Sequence, residues 1–394
     1  MRLPCSRSIR SILQLAKRKH HTQSRVVAWG AFIDRYAARK CSSKDPYLAE
    51  HARARPSLLA LNRLFDTDGS IDVSAMGAGM RHALVAAVCS SSKQTFTKLA
   101  GFGLNASYQL GWAHSNQAPV VSVIDGQVLQ IACGREHSAM VVRRADGTRQ
   151  VLVCGNNAYG QLGISKVKQG GELQRWEIHE LSALNDLLDG EEPVKVQCGL
   201  DHTVVLTSAG RVFAMGWGDD GQLGTGVGAS SNRPVQVAAL DNVPIVNISS
   251  STDFTLALSA DNRLFYWGNA EYGQCMVGEK RDRVLLRIEV PFEQEIADIA
   301  AGGCHSLLLT RAGQVYMCGY GALGLGEHML SVLRPTLIEG LDNITAIYAS
   351  TDRSLAISTD HRVFSWGLAN AAGRLGDGSE NLFEPRMLDI DPEL

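Results

Sequence analysis

The chain has 394 residues, 45% hydrophobic, 20% charged and 6% aromatic, with a formal net charge of −2. That balance excludes a uniformly basic surface of the kind that binds nucleic acid by releasing phosphate counterions, though not a local basic patch. No apolar run reaches the roughly 18 residues a membrane-spanning helix requires, and 39 glycines among short apolar runs predict an all-β chain of short strands and tight turns.

The first 25 residues differ in kind from the rest. They carry Arg2, Arg7, Arg10, Lys17, Arg18, Lys19 and Arg25, with no acid before Asp34. Ile9, Ile12, Leu13 and Ala16 fall at i, i+3, i+4 and i+7, which predicts one apolar face of a helix. A basic, serine-bearing, acid-free and amphipathic start describes a mitochondrial transit peptide, so 1–25 is read as targeting and 26–394 as one propeller domain. The competing reading is a basic arm that touches nucleic acid or a membrane surface. Cleavage is expected near 20–27. Strands are then expected at 26–29 and near 58–61, together half of a repeat unit.

From there one pattern recurs six times, at 77–111, 130–163, 197–224, 249–278, 300–326 and 348–376. A period of about 50 residues signals an array of one supersecondary unit. Each unit starts with an apolar run ending in Cys-Gly, Ala-Gly or Ser-Ser, then a polar turn that often carries an acid and a histidine. An alternating strand follows (203–207, 306–309), then a tight turn and a second short strand (212–215, 315–318), which is hairpin spacing. Paired glycines such as Gly218, Gly221 and Gly224 permit positive φ and close backbone approach. A variable segment marked by Pro119, Pro234, Pro335 or Pro385 returns as a fourth strand. Four antiparallel strands repeated radially make a β-propeller, favoured over a β-solenoid, whose coils are shorter and lack an internal hairpin.

Between the second and third copies, 164–194 breaks the period. It carries Trp176, an apolar stripe at Leu181, Leu184, Leu187 and Leu188, and a terminal acid cluster. A long insertion in a compact domain points to function, against a bland reading as a helix packed on the propeller's side.

The nine cysteines carry no metal or disulfide signature. Cys133 and Cys198 share one repeat position, before Gly134 and Gly199, and Cys154 and Cys318 stand where Trp29, Trp267 and Trp366 precede a glycine. Cysteines that replace apolar residues in a repeat read as packing groups in a reducing compartment. Without a C-x-x-C pair, no metal is expected, and no cofactor either. His82, His137, His202 and His305 repeat at one position, which favours a structural role: each imidazole is expected to bridge a loop carbonyl and an NH, tying blade to blade. Gly134 and Gly199 belong to the same structural set. Adjacent Ser and His along a strand point to opposite faces and cannot form a nucleophile–base pair. The glycine clusters lack the Gly-Lys-Ser/Thr of a phosphate loop. No catalytic residue is expected.

Gly-x-x-His-Ser/Thr followed by Gly-x-Val-Tyr/Phe-x-x-Gly and Gly-Gln-Leu-Gly resembles the regulator-of-chromosome-condensation family over roughly 26–388. GFGLNASYQLG (101–111), MGWGDDGQLG (215–224), YWGNAEYGQ (266–274) and CGYGALGLG (318–326), with the basic N-terminus, resemble its mitochondrial branch. The resemblance implies a seven-bladed propeller that binds and regulates rather than catalyses. Its implied function is guanine-nucleotide exchange on the dynamin-like GTPase of inner-membrane fusion, in the matrix or peripherally on the inner membrane. The alternative it implies is a scaffold for large-subunit ribosomal RNA maturation and ribosome assembly. Lys166, Lys168, Arg281, Arg283 and Arg287 are the candidate RNA contacts for that reading. It also implies that carboxylates on the loop face meet the GTPase, which here means Glu136, Asp201, Asp253 and Asp352, one equivalent position in four copies. Against this, each acid could accept NH groups within its own turn. The insertion with Trp176 is analogous in place to a wedge that protrudes from one blade of a chromatin-bound relative. Two departures stand out. Phe254 and Arg353 replace the histidine in the fourth and sixth copies, and the seam blade is expected to lack its inner strand pair.

Overall fold

The computed structural model describes residues 16–20, 23–28, 57–58, 61–65, 67, 69–90, 95–112, 120–164, 177–368, 375 and 381–389. Among them are six four-stranded antiparallel sheets, each built from four successive strands in spatial order, which are the blades of an all-β propeller. Blade three shows the plan. Pro193–Cys198 lies innermost, followed outward by His202–Thr207, Val212–Gly216 and Ser231–Gln236. The six expected repeat copies therefore each correspond to one sheet.

The second strand of each blade was expected to alternate. Instead His202–Thr207, Phe254–Ser259 and His305–Thr310 are buried at every position. Neighbouring blades cover both faces of a blade's middle, so both sets of side chains face a core, as in a sheet covered on two sides. The cores are continuous from blade to blade. One cluster runs from Val204 and Leu206 through Phe254, Tyr266 and Trp267 to Leu308 and Cys318, spanning blades three to five. Another joins Leu307 and Met317 of blade five to Trp366 and Leu382 of blade six.

Six innermost strands line a central channel of about 540 Å³. Each carries a register shift at one place, as between Pro193 and Lys195, Ile245 and Asn247, or Ile296 and Asp298. A bulge re-aims the next side chain, and here the re-aimed residues Gln130, Lys195 and Asp298 line the channel, with Asn247 at the equivalent position of blade four. They link blades: Lys195 Nζ donates to Asn247 Oδ1 at 2.5 Å and Asn247 Nδ2 to Asp298 Oδ1 at 2.8 Å. Burial lowers the Lys195 pKa, and Asp298 opposes that shift. Sequence periodicity carried no sign of these bulges.

The half-unit before blade one is larger than expected. Ala16–His20, Gln23–Ala28 and Ser57–Leu58 form a three-stranded sheet, with Lys17 opposite Val26 and Val27 opposite Leu58. Ala16, the last position of the expected helical stripe, lies instead in a strand, through backbone pairing in a hairpin. The expected two-strand seam becomes three strands for the same reason, and strand structure begins upstream of Val26. Ile9, Ile12, Leu13 and Trp29 lie outside the described residues.

Part of 164–194 belongs to the ring and not to an insertion. His179–Glu180 pairs with Leu152 and Val153 as the outermost strand of blade two. Leu181, Leu184 and Leu188, around the short helix Ser182–Asn185, are buried against Val151, Val153, Val205 and Phe213. Three of the four stripe leucines are therefore core, and Leu187 stays 37% exposed. Trp176, Lys166 and Lys168 lie outside the described residues.

Candidate functional site

The turns between first and second strands gather at one mouth of the channel, where Gly79, Gly134, Gly199, Thr252 and Thr351 line it. At each turn the residue before the histidine position is fixed by its backbone. The carbonyls of Arg81, Glu136, Asp201, Asp253, Cys304 and Asp352 accept from the amides of Leu104, Asn156, Trp217, Asn269, Tyr320 and Leu368 at 2.7–2.9 Å. The amide follows a glycine of positive φ at every blade, for example Gly216 at +111°. A Cβ on Gly216 would stand 2.3 Å from the Asp201 carbonyl oxygen, so only glycine brings the third strand this close. These six hooks set an outer collar of residues beside an inner ring of residues one before histidine.

The histidines contact the next blade through partners other than those expected. His82, His137, His202 and His305 meet the hydroxyls of Ser138, Thr203, Ser250 and Ser354 in the next blade at 2.7–3.0 Å. Ser138, Thr203 and Ser250 spend their single protons on the carbonyls of Gln109, Gln161 and Phe254. In those three pairs Nε2–H must therefore be the donor. Burial pushes His82 and His202 down to about 3 and His137 and His305 down to about 4, so all four are neutral at ordinary pH. Gly134 and Gly199 make room for the rings: a Cβ would lie 2.3 Å from His137 Cε1 and 2.0 Å from His202 Cε1. Phe254 fills its place by stacking on Tyr266, with centroids 5.2 Å apart, and Arg353 is buried at 2% exposure. Of the residues before the third-strand glycine, Trp267 and Cys154 also tie blade to blade, while Trp366 Nε1 has no partner among the described residues. Trp267 Nε1 donates to the Gln222 carbonyl and Cys154 Sγ to that of Gln109, each in the preceding blade.

Three of the four candidate acids stand on consecutive blades. Glu136 Oε2 accepts from Ser107 Oγ of blade one at 2.9 Å and from Asn156 Nδ2 at 3.1 Å. Burial pushes its carboxyl up, but these bonds and the nearby Arg135 and Arg81 outweigh it and hold Glu136 below the ordinary range. Asp201 pairs with the Arg135 guanidinium and accepts from Gln161 Nε2 at 3.4 Å. Burial dominates there and raises its pKa despite Arg135. Asp253 accepts from Gln222 Nε2 at 3.4 Å and has no ion pair among the described residues. Burial, then Asp220 and Asp201, push its carboxyl up to about 6. Asp352 stands apart on blade six, with Cys304 between it and the arc.

Neither expectation for the acids describes them fully. Glu136, Asp201 and Asp253 are each held by a side chain of the preceding blade, Ser107, Gln161 and Gln222, and Glu136 also by Asn156 of its own blade. Not all are equally available, since Asp201 is neutralised by Arg135 and Asp253 is not. Sequence reading missed Arg135 and the two glutamines. The signal was present in the recurring Gly-Gln-Leu-Gly at 160–163 and 221–224. Gln161 Oε1 and Gln222 Oε1 close their own loops on the Tyr159 and Asp220 amides, each at 3.0 Å, which leaves Nε2 for the next blade's acid. No group of three or more His, Cys, Asp or Glu side chains suited to a metal occurs among the described residues.

Three of the five candidate RNA contacts lie among the described residues, and each makes a contact within the chain. Arg281 pairs with Glu279, Arg283 Nη1 donates to the Asp219 carbonyl, and Arg287 donates to the Ala239 carbonyl while lying over the Phe265 ring.

The RCC1-like domain family profile matches residues 48–393. The mouse and human proteins called RCC1-like G exchanging factor-like protein are each 31% identical to this chain. They align over 79% and 85% of it and over 71% and 75% of their own lengths. Among solved structures, human WBSCR16 superposes with a TM-score of 0.73 at 28% identity, covering 86% of this chain and 85% of that one. Prp20p of Saccharomyces cerevisiae superposes at 0.71 with 20% identity, covering 98% and 87%, a likeness of fold alone.

Proposed function

Because this chain belongs to the RCC1-like domain family, a binding and exchange-factor fold, we propose that it is a guanine-nucleotide exchange factor for a mitochondrial GTPase, the dynamin-like fusion GTPase first. The observation that carries this reading is Asp253. A half-buried carboxylate crowded by Asp201 and Asp220, with one long amide bond and no cation of its own, is an unfavourable arrangement for the isolated fold. A cationic group brought by a partner relieves it. In a GTPase the cation at hand is the lysine that holds the nucleotide phosphates. Drawing that lysine onto the Asp253 arc weakens nucleotide binding, and only such differential affinity shifts the equilibrium toward the empty GTPase. An acceleration of about 10³–10⁵ requires on the order of 4–7 kcal/mol of difference. The name of the 31%-identical relatives supports exchange, and the basic, acid-free N-terminus supports a mitochondrial address.

The ribosome-assembly alternative draws less support, because Arg281, Arg283 and Arg287 are occupied by internal contacts. The test is release of labelled GDP from mitochondrial fusion and ribosome-assembly GTPases. The wild-type chain should accelerate release from one of them, and Asp253→Asn should lose most of that acceleration, about tenfold or more. Since Asp253→Asn removes a crowded charge, the variant should be as stable as wild type or more so in urea, which separates lost contact from lost fold. Unchanged release from every candidate overturns the proposal.

A further inference from the structure

The collar is not uniform. At the hooked position, blades two and four present Asn156 and Asn269, while blades one, three and five present Leu104, Trp217 and Tyr320. Trp217 and Tyr320 are each joined by a tyrosine from the preceding blade. Tyr159 meets Trp217 edge-on with centroids 4.8 Å apart, and Tyr272 lies against Tyr320 at 6.0 Å. These rings are not core. Tyr159 is 40% exposed and Tyr320 47%, and beside Tyr320 the Gly321 amide holds the carbonyl of Leu330, itself 39% exposed. The Asp220 and Asp253 carboxylates stand at the junction of blades three and four, between the two aromatic pairs. The loops there, 216–224, 250–254 and 268–283, carry six carboxylates to three cations. Two of the cations are already held, Arg281 by Glu279 and Arg283 by the Asp219 carbonyl.

We propose that the Tyr159–Trp217 and Tyr272–Tyr320 pairs are the two jaws of a docking surface for a basic protein segment, which places an arginine or lysine onto Asp220 and Asp253 between them. Charge complementarity selects a cationic occupant. Exposed aromatic faces add cation–π and stacking contacts, which favour arginine over lysine. Rigid aromatic anchors around a charge are the composition of an interface hot spot. The inference rests on the exchange-factor reading for the partner's identity alone. The surface and its preference for basic segments follow from the residues themselves.

A short arginine-rich peptide and its glutamate counterpart are the probes. Binding is read by the part of the tryptophan fluorescence that disappears in Trp217→Phe, and by the NMR shift of the Met329 methyl, 44% exposed in the loop leading to Leu330. The arginine peptide should quench Trp217 and move Met329, and the glutamate peptide should do neither. Tyr320→Ser and Asp220→Asn should each weaken binding about tenfold with unchanged urea midpoints, and a lysine peptide should bind more weakly than the arginine one. Equal binding by wild type, Tyr320→Ser and Asp220→Asn, or no response to the arginine peptide, overturns the docking surface. If the peptide binds as described while no GTPase releases GDP faster, the exchange reading alone has failed.

Discussion

Acidification from pH 7 to pH 4 is expected to unfold the propeller. Burial holds His82 and His202 at about 3 and His137 and His305 at about 4, against an ordinary 6.5. With folded values below unfolded ones, the unfolded chain binds more protons once the pH falls below 6.5. Stability present at neutral pH is then lost progressively down to about 4. Asp253 works the other way: its pKa is raised from 3.8 to about 6, so its contribution is present at low pH and lost as pH rises through 6. It offsets one histidine in part. The net loss is on the order of 10 kcal/mol, comparable with the whole stability of a domain. Each imidazole is a blade-to-blade tie, so the loss falls on the joints between blades. Urea unfolding followed by circular dichroism at pH 7.5, 6 and 5 should show a midpoint that drops steeply. His202→Gln, whose amide can still donate to Ser250, should lessen the slope. A midpoint constant from pH 7.5 to 5 would mean that the folded ring accepts those protons.

Replacing Gly216 by alanine should cost about 4 kcal/mol or more and in practice abolish folding. Two penalties coincide there. A φ of +111° strains any side chain, and the new Cβ would meet the Asp201 carbonyl oxygen at 2.3 Å and His202 Cα at 2.7 Å. That carbonyl holds the Trp217 amide, so the third strand cannot retreat without breaking the hook. Gly147 is the control. Its φ is +90°, and nothing lies within 4 Å of its would-be Cβ. Gly147→Ala should cost only the backbone strain, about 1–2 kcal/mol. Equal losses for the two variants in urea titrations would show that close approach at the hook contributes nothing.

Much of this architecture could be read directly, because a repeat announces itself through local spacing. The hairpin turns and the glycines of positive φ followed from one unit compared with the next. What escaped depends on contacts between units. His82 finds Ser138 56 positions away and His137 finds Thr203 66 away, so a loop carbonyl was the nearest partner that local reasoning could supply. The inner-strand bulges leave no periodic trace, since one skipped residue looks like imperfect alternation. Ala16 shows the opposite error: helical spacing over a few residues is also compatible with strand, and pairing with Val27 decides it. At the site the four acids looked equivalent because they share one position. They differ in what the preceding blade offers, Arg135 and an amide for Asp201 against an amide alone for Asp253. Trp217 and Tyr320 passed as ordinary strand ends because the collar position also accepts asparagine and leucine.

In the proposed exchange reaction the Asp253 arc prefers an empty GTPase to a loaded one. Equilibrium affinity for the responding GTPase, measured once nucleotide-free and once saturated with GDP and magnesium, addresses it most directly. The empty form should bind more tightly by about 10³-fold or more, roughly 4 kcal/mol, with most of that ratio lost in Asp253→Asn. Equal affinity for the two forms, or a ratio untouched by Asp253→Asn, would contradict it.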